Sequence, residues 1–282
     1  MTRNAHRRLN RWAASLGRAL LRRLDAPRKA YEKRIVNNMD NLYRVIRKGD
    51  VVLVEGRSKI SRIIQLLTQS SWSHSALYVG DALAGHGDRK RENASGDTNA
   101  ADWNHMLVEA DAARGVVAVP LRKYCDDNIR ICRPFGIRAE DLEAVISEVV
   151  GNLGRRYDHQ NILDLALLAL PPFMNPFKKR TIKACLGGCT EYEVICSGMI
   201  AKAFQHVGYP IVPALLPSLD FDKNIYRNPY GASLIMRHYS QIVPRDFDLS
   251  PNFEIIKYNI IGMNGFDYRS IWAQSRSHTG QG

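Results

Sequence analysis

The sequence predicts an α+β protein, in which antiparallel strands form a small sheet and the helices are set apart from it. Short runs rich in Val, Ile, Leu and Tyr are separated by turns in the first half of the chain. Other segments repeat apolar residues every three or four positions, which is typical of helices, and no internal repeat is present. The 282 residues suffice for one hydrophobic core without disulfides or metals.

The positive charge is concentrated at the beginning of the chain. Residues 1–36 hold eleven Lys or Arg and two acids, an excess of nine, whereas the net charge of the whole chain is +12. Apolar residues recur there at spacings of three and four: Leu9, Trp12, Ala13, Leu16, Leu20 and Leu24. We therefore predict a basic amphipathic helix, the arm, over residues 1–27, ended by Ala26-Pro27, and one domain over 28–282.

Three roles are open for the arm: it packs on its own domain, lies on an anionic membrane surface, or binds nucleic acid, which we expect least. Its apolar stretch is interrupted by Arg18 and no small-residue cleavage site follows, unlike a secretory signal peptide. No run of eighteen apolar residues occurs, so we expect no transmembrane helix. Five cysteines fit a reducing compartment. We expect a cytoplasmic protein that is peripheral at the inner face of the membrane.

The first half of the domain alternates strands and helices. A second amphipathic helix is predicted over 28–48, followed by the turn Lys48-Gly49-Asp50 and an apolar strand over 51–54. Helical spacing over 58–67 begins at Ser58, a typical cap. Strands are predicted over 72–79, 106–110, 116–119 and 128–133, and the polar, Gly-rich stretch 81–104 is predicted to be a loop.

The second half is predicted to be more helical. Helices are expected over 138–153 and 196–207, each with an apolar inner face and a glycine just past its end, and over 162–170. A Pro, Gly and Lys-rich loop follows over 171–190. The tail from residue 209 is rich in Pro, Tyr and Asn, with strand candidates at 241–243 and 254–256, and residues 215–282 form a C-terminal extension.

One histidine lies inside a predicted strand, in the run SSWSHSALYVG. Strand alternation puts His74 on one face with Ala76 and Tyr78. A single histidine in such a place is more often a hydrogen-bonded core residue than a functional one. A catalytic base would need a nucleophile and an orienting acid elsewhere in the chain.

Three other residues could complete such a site. Cys196, in VICSGMIAKAF, lies where an amphipathic helix begins, and unpaired N–H groups there favour a thiolate. Glu109, in HMLVEADA, reaches the imidazole if its strand pairs with that of His74, and Asp111 on the same face is an equal candidate. Tyr157, in LGRRYDHQN, follows the long helix. Taken singly, each also suits a purely structural role.

The ordered set of motifs resembles the circularly permuted NlpC-type papain-like cysteine hydrolases, in the YaeF/YiiX-like branch. The motifs are the run GDVVLVEGRSKISRIIQLLTQSSWSHSALYVG, then LVEA, VPLRKY, LGRRYD and ICSGMIAKAFQHVG, and the resemblance covers about residues 49–208. It implies a small antiparallel sheet, or half-barrel, packed on the helix of the nucleophile. By the same resemblance Cys196 is the nucleophile, His74 the base, Glu109 the residue that orients the base, and Tyr157 a tyrosine beside the nucleophile.

The resemblance implies acyl transfer through a thioester, with peptide-amide or lipid-like substrates and no cofactor. An inactive member that binds a membrane or nucleic acid through the arm is the alternative. Cys185, Cys189 and Cys196 have spacings that do not match a zinc site, so we expect no metal. The departures are Ser197-Gly198 after the cysteine, where relatives often carry an acid, and the long loop over 81–104.

Overall fold

A six-stranded antiparallel sheet organises the chain, as a computed structural model shows for residues 37–84, 98–111, 114–155, 196–216, 226–227 and 233–259. Its strands are β1 (Val51–Val54), β2 (His74–Gly80), β3 (Met106–Asp111), β4 (Gly115–Pro120), β5 (Ile129–Pro134) and β9 (Phe253–Ile256), in the order β4-β3-β2-β1-β5-β9. A second sheet consists of β6 (Pro213–Leu216), β8 (Ser233–Met236) and β7 (Tyr226–Arg227), in that order. The predicted antiparallel sheet is confirmed.

Five α-helices accompany the strands in this part of the chain: α1 (Met39–Val45), α2 (Lys59–Thr68), α3 (Ala139–Gly151), α4 (Ser197–His206) and α5 (Pro244–Leu249). Short 3₁₀ turns occupy Ala100–Asn104, Leu121–Tyr124 and Tyr239–Gln241. None of these helices has the length and apolar character needed to cross a lipid bilayer.

Apolar side chains cover both faces of the main sheet, because nearly every strand residue is buried. On one face, α3 and α4 pack through Val145, Val149, Ile200 and Phe204. These are inner positions of the two predicted helices, so the helical periodicity identified the core correctly. On the other face, α1 and the turn after β4 form a second cluster that includes Leu42 and Tyr124.

Helix α2 turns its polar side toward the domain. Ser61 and Gln65 are buried, whereas Leu66 and Leu67 are 61% and 58% exposed. Gln65 Nε2 donates to the Ser71 carbonyl at 3.0 Å, within the turn that leads to β2. The helix was predicted from its apolar spacing, but its position is set by these polar contacts.

The turn between α2 and β2 is fixed from several sides. Gly56 N donates to Ser73 Oγ at 3.0 Å, and a Cβ at Gly56 would lie 2.2 Å from Ser61 Oγ, so a side chain at this position would clash. Trp72 Nε1 donates to Asp248 Oδ2 at 2.9 Å, which ties the turn to α5. These contacts hold the first residue of β2 in place, and that residue is His74.

Some expectations from the sequence are wrong, and others concern parts of the chain outside the described residues. Residues 241–243 are not a strand: a 3₁₀ turn ends at Gln241 and Pro244 begins α5, since proline suits the first turn of a helix. The strand expected over 72–79 begins at His74, and the loop expected over 81–104 contains the 3₁₀ turn at 100–104. The strand over 254–256 is confirmed. The arm, the helix over 162–170, the loop over 171–190 and Tyr157 lie outside the described residues.

Candidate active site

Histidine and acid are brought together by strand register. β2 and β3 are antiparallel, with Ala76 opposite Glu109, so His74 lies two residues along the same face as a diagonal neighbour of that acid. His74 Nε2 and Glu109 Oε2 are 3.1 Å apart. Asp111 instead accepts from the backbone and side chain of Arg114 in the turn after β3. The sequence left the two acids open, and the side-chain contacts distinguish them, because Glu109 meets the His74 ring and Asp111 pairs with Arg114.

The thiol comes from the start of α4. Cys196 is the N-cap residue of this helix and is 6% exposed. Ser197 Oγ donates to the Ile242 carbonyl at 2.7 Å and so anchors the first turn. The Cys196 side chain forms a hydrogen bond with the His74 ring. Because Nε2 is engaged by Glu109, Nδ1 is the nitrogen that remains for the sulfur.

The electrostatics favour a charged thiolate and imidazolium. Burial alone would lower the pKa of His74, but the negative charges and hydrogen bonds of Cys196 and Glu109 raise it to about 10. Burial alone would raise the pKa of the Cys196 thiol, but the charge of His74 and hydrogen bonds from His74 and Ser75 bring it below its ordinary value. Both pKa shifts favour the same ion pair, a Cys196 thiolate beside a His74 imidazolium.

Glu109 has two further partners that the sequence did not identify. Its side chain is 1% exposed, and Lys123 Nζ lies 2.5 Å from Oε1. The Tyr124 hydroxyl donates to Oε2, the same oxygen that His74 contacts. Burial would raise the pKa of Glu109, but the contacts with His74 and Lys123 hold it well below its usual range. The carboxylate therefore stays charged and fixed in orientation.

Lys123 and Tyr124 belong to the stretch VPLRKY, which forms the 3₁₀ turn after β4. Burial and the neighbouring Glu109 charge raise the pKa of Tyr124, so its hydroxyl keeps the proton that it donates. Lys123 also lies 4.9 Å from the centre of the Tyr124 ring. The motif was visible in the sequence, but only the β3–β4 hairpin shows that it returns to Glu109.

Ser75 is a second residue that the sequence did not single out. It lies on the opposite face of β2 from His74 and is fully buried. Its hydroxyl has no regular hydrogen-bond partner among the described residues. It faces the Cys196 sulfur, where its backbone N–H and its side chain help to lower the pKa of the thiol. A buried hydroxyl without a partner is uncommon and points to the sulfur beside it.

The described residues contain no group of three or more His, Cys, Asp or Glu side chains that could hold a metal ion. Of the three cysteines considered for such a site, Cys185 and Cys189 lie outside those residues. Cys196 faces His74 and Ser75.

The buried thiol lies at the start of a helix that packs against the strand of the histidine, and the histidine in turn contacts a carboxylate. This arrangement is typical of papain-like folds, and in this chain the histidine comes before the cysteine. The family model described as "Permuted papain-like amidase enzyme, YaeF/YiiX, C92 family" matches residues 45–164. This segment of the chain is similar to that family, as the resemblance of its motifs implied. The matched segment contains His74 and Glu109 and ends before Cys196.

Among solved structures, the chain is similar to one described as the metalloprotein yiiX from Escherichia coli O157:H7. The two are 16% identical, with a TM-score of 0.42, and the match covers 76% of this chain and 98% of that one. The search of curated proteins finds no match.

Proposed function

We propose that this protein is a cysteine hydrolase that cleaves an acyl bond with Cys196 as nucleophile, His74 as base and Glu109 as the residue that orients the base. The observation that carries the proposal is the continuous contact from the buried thiol through the imidazole to the buried carboxylate. The family match supports the coarser conclusion of an amidase-type hydrolase.

The reaction begins from the thiolate–imidazolium pair. The Cys196 sulfur attacks the carbonyl carbon of the substrate, and backbone N–H groups at the start of α4 stabilise the negative oxygen that forms. His74 then gives its proton to the leaving amine or alcohol as the carbonyl re-forms, which leaves a thioester on Cys196. His74 next takes a proton from water, the hydroxide attacks the thioester, and the carboxylic acid is released as the thiolate leaves, which restores the thiolate–imidazolium pair.

Glu109 orients the imidazole and does not itself carry the proton. Its contacts with Lys123 and Tyr124 keep its orientation fixed, and its negative charge stabilises the imidazolium. The family resemblance assigns Tyr157 a place beside the nucleophile. Amides in peptides and lipid-like esters or amides both fit this chemistry, and the basic residues 1–27 favour work at an anionic membrane surface.

The test is chemical labelling followed by substrate trapping. The rate of alkylation of Cys196 by iodoacetamide, read by peptide mass, is expected to remain high well below pH 8.5, about the pKa of an ordinary cysteine. His74→Ala is expected to remove this reactivity, and Cys196→Ala provides the background from the other cysteines. Slow labelling in wild type and variant alike would contradict the proposal and favour an inactive binding protein.

Incubation with separate peptide and lipid extracts would then identify the acyl group. Intact mass shows an adduct, and its loss in Cys196→Ala assigns it to the nucleophile. A chain lacking residues 1–27 tests the membrane role of the arm. It is expected to sediment less with anionic vesicles than the full chain, and equal sedimentation would remove that role.

A further inference from the structure

The outer face of α2 is apolar although the helix lies at the surface. Ile60, Ile63 and Leu67 recur at spacings of three and four, and Leu66 lies beside them. Leu66 and Leu67 are both more than half exposed, whereas the buried positions of the helix are Ser61 and Gln65. Single exposed leucines are common on proteins, but a helix with its polar side buried and its apolar side outward is not.

The polar contacts explain why the helix cannot turn over. Gln65 Nε2 donates to the Ser71 carbonyl, and the Ser70 N–H donates to the Gln65 carbonyl at 3.0 Å. Ser58 Oγ caps the helix at the Ser61 N–H. Rotation of α2 to bury its leucines would break the contacts that set the turn before His74. The apolar face is therefore held outward by the same bonds that organise the active site.

A second helix extends this apolar face. Arg245 of α5 donates to the Thr68 carbonyl at the end of α2, with an N···O distance of 3.0 Å. Leu249 is four residues later, so it lies on the same side of α5 as Arg245. It is 60% exposed. The combined surface, which we call the α2 face, consists of the exposed Leu66, Leu67 and Leu249 together with the half-buried Ile60 and Ile63.

The charges beside the α2 face are positive. Lys59 and Arg62 are exposed on α2, and the helix contains no acid. A two-fold pairing through this face would bring four of these cations into one interface without an acid of α2 to offset them, which opposes pairing of two chains. Exposed cations beside an apolar stripe instead match an anionic lipid surface, where the apolar residues enter the headgroup boundary and the cations meet the phosphates.

We propose that the α2 face docks the protein on an anionic membrane, as an attachment site distinct from residues 1–27. Thr68 and His74 are separated by five residues, so docking through α2 brings the region of the active site to the lipid surface. The proposal goes beyond the proposed hydrolase activity, since the face would bind lipid whether or not Cys196 is reactive.

The experiment compares full-length variants for sedimentation with phosphatidylcholine vesicles, with and without phosphatidylglycerol. Leu66→Gln/Leu67→Gln is expected to weaken binding to the anionic vesicles at least fivefold. Lys59→Gln/Arg62→Gln is expected to weaken it about thirtyfold, since each of the two basic residues near an anionic surface contributes about 1 kcal/mol and about 1.4 kcal/mol is tenfold. Phe135→Gln is the matched control, because Phe135 is equally exposed, at 65%, but lies at the far end of β5.

Other occupants of the α2 face give different results. If another segment of this chain covers it, Leu66→Gln/Leu67→Gln lowers the free energy of unfolding in urea and leaves vesicle binding unchanged. If a second copy covers it, the wild type forms a dimer that the variant does not. Either result overturns the proposal, as does equal binding by this variant and Phe135→Gln. Iodoacetamide labelling of Cys196 in the same proteins reports the hydrolase proposal separately, and we expect it to be unchanged.

Discussion

Removal of the Glu109 charge tests the origin of the reactive ion pair. In Glu109→Gln the side chain keeps its shape but no longer places a negative charge 3.1 Å from His74 Nε2. At an effective dielectric constant of about 20, two unit charges at that distance interact by about 5 kcal/mol. Lys123, 2.5 Å from the other carboxylate oxygen, offsets part of this interaction. We therefore expect the pKa of His74 to fall by about 1–3 units, or about 1.4–4 kcal/mol.

The assay is the rate constant for alkylation of Cys196 by iodoacetamide, measured between about pH 4 and pH 11, with Cys196→Ala subtracted. A thiolate becomes more nucleophilic as its basicity rises, and that happens when the neighbouring imidazolium loses its proton. The plot of rate against pH should therefore show an alkaline step at the pKa of His74, which is about 10 in the wild type.

Glu109→Gln is expected to move this alkaline step to lower pH. Asp111→Asn is the matched control: it removes an acid from the same strand face, but that acid pairs with Arg114 and should leave the step in place. If the alkaline step in Glu109→Gln remains at the same pH or moves to higher pH, the Glu109 charge does not raise the pKa of His74. An equal shift in Asp111→Asn would show that general charge, and not contact with His74, sets the pKa.

Three further predictions concern the site and the core. Ser75→Ala should raise the pKa of Cys196, because the hydroxyl that faces the sulfur is lost. The acidic limb of the plot of alkylation rate against pH should then move to higher pH. An acidic limb that does not move would show that the Ser75 hydroxyl does not lower the pKa of Cys196. Phe204→Ala should lower the free energy of unfolding in urea by about 3–5 kcal/mol, since Phe204 is fully buried between α4 and the sheet; a loss below about 1 kcal/mol would mean that the core collapses around the gap. Ser58→Ala should cost about 0.5–2 kcal/mol in the same assay, through loss of the cap on the Ser61 N–H, while Ser58→Gly should cost only a few tenths.

Local sequence patterns predicted the helices and strands of this fold better than they predicted how these elements are oriented against one another. The spacing of Val145, Val149, Ile200 and Phe204 identified two helices and the sides that they bury, because each helix packs on the sheet through one continuous stripe. The same reasoning found α2 but could not give its orientation. The contacts of Gln65 with the turn at Ser70 and Ser71 outweigh the apolar stripe, and they depend on a backbone that the sequence does not reveal.

The candidate site shows the same limit. The ordered motifs pointed to His74, Cys196 and Glu109, but the residues alone could not choose between Glu109 and Asp111. That choice depends on the side-chain contact between His74 and Glu109 and on the Arg114 contact with Asp111, which are tertiary facts. The sequence contains twelve tyrosines. No pattern in the residues around Tyr124 indicated that its hydroxyl would contact Glu109, fifteen residues earlier.

The order of the site residues along the chain has a practical consequence. The proposed base, the acid that contacts it and their supporting turn all lie in residues 74–124, whereas the proposed nucleophile Cys196 stands at the start of α4. A polypeptide divided anywhere between 155 and 196 would yield two halves that each lack an essential atom. On the proposed mechanism, the reactivity of Cys196 would return only when the two halves associate, so labelling of Cys196 would report their reassembly.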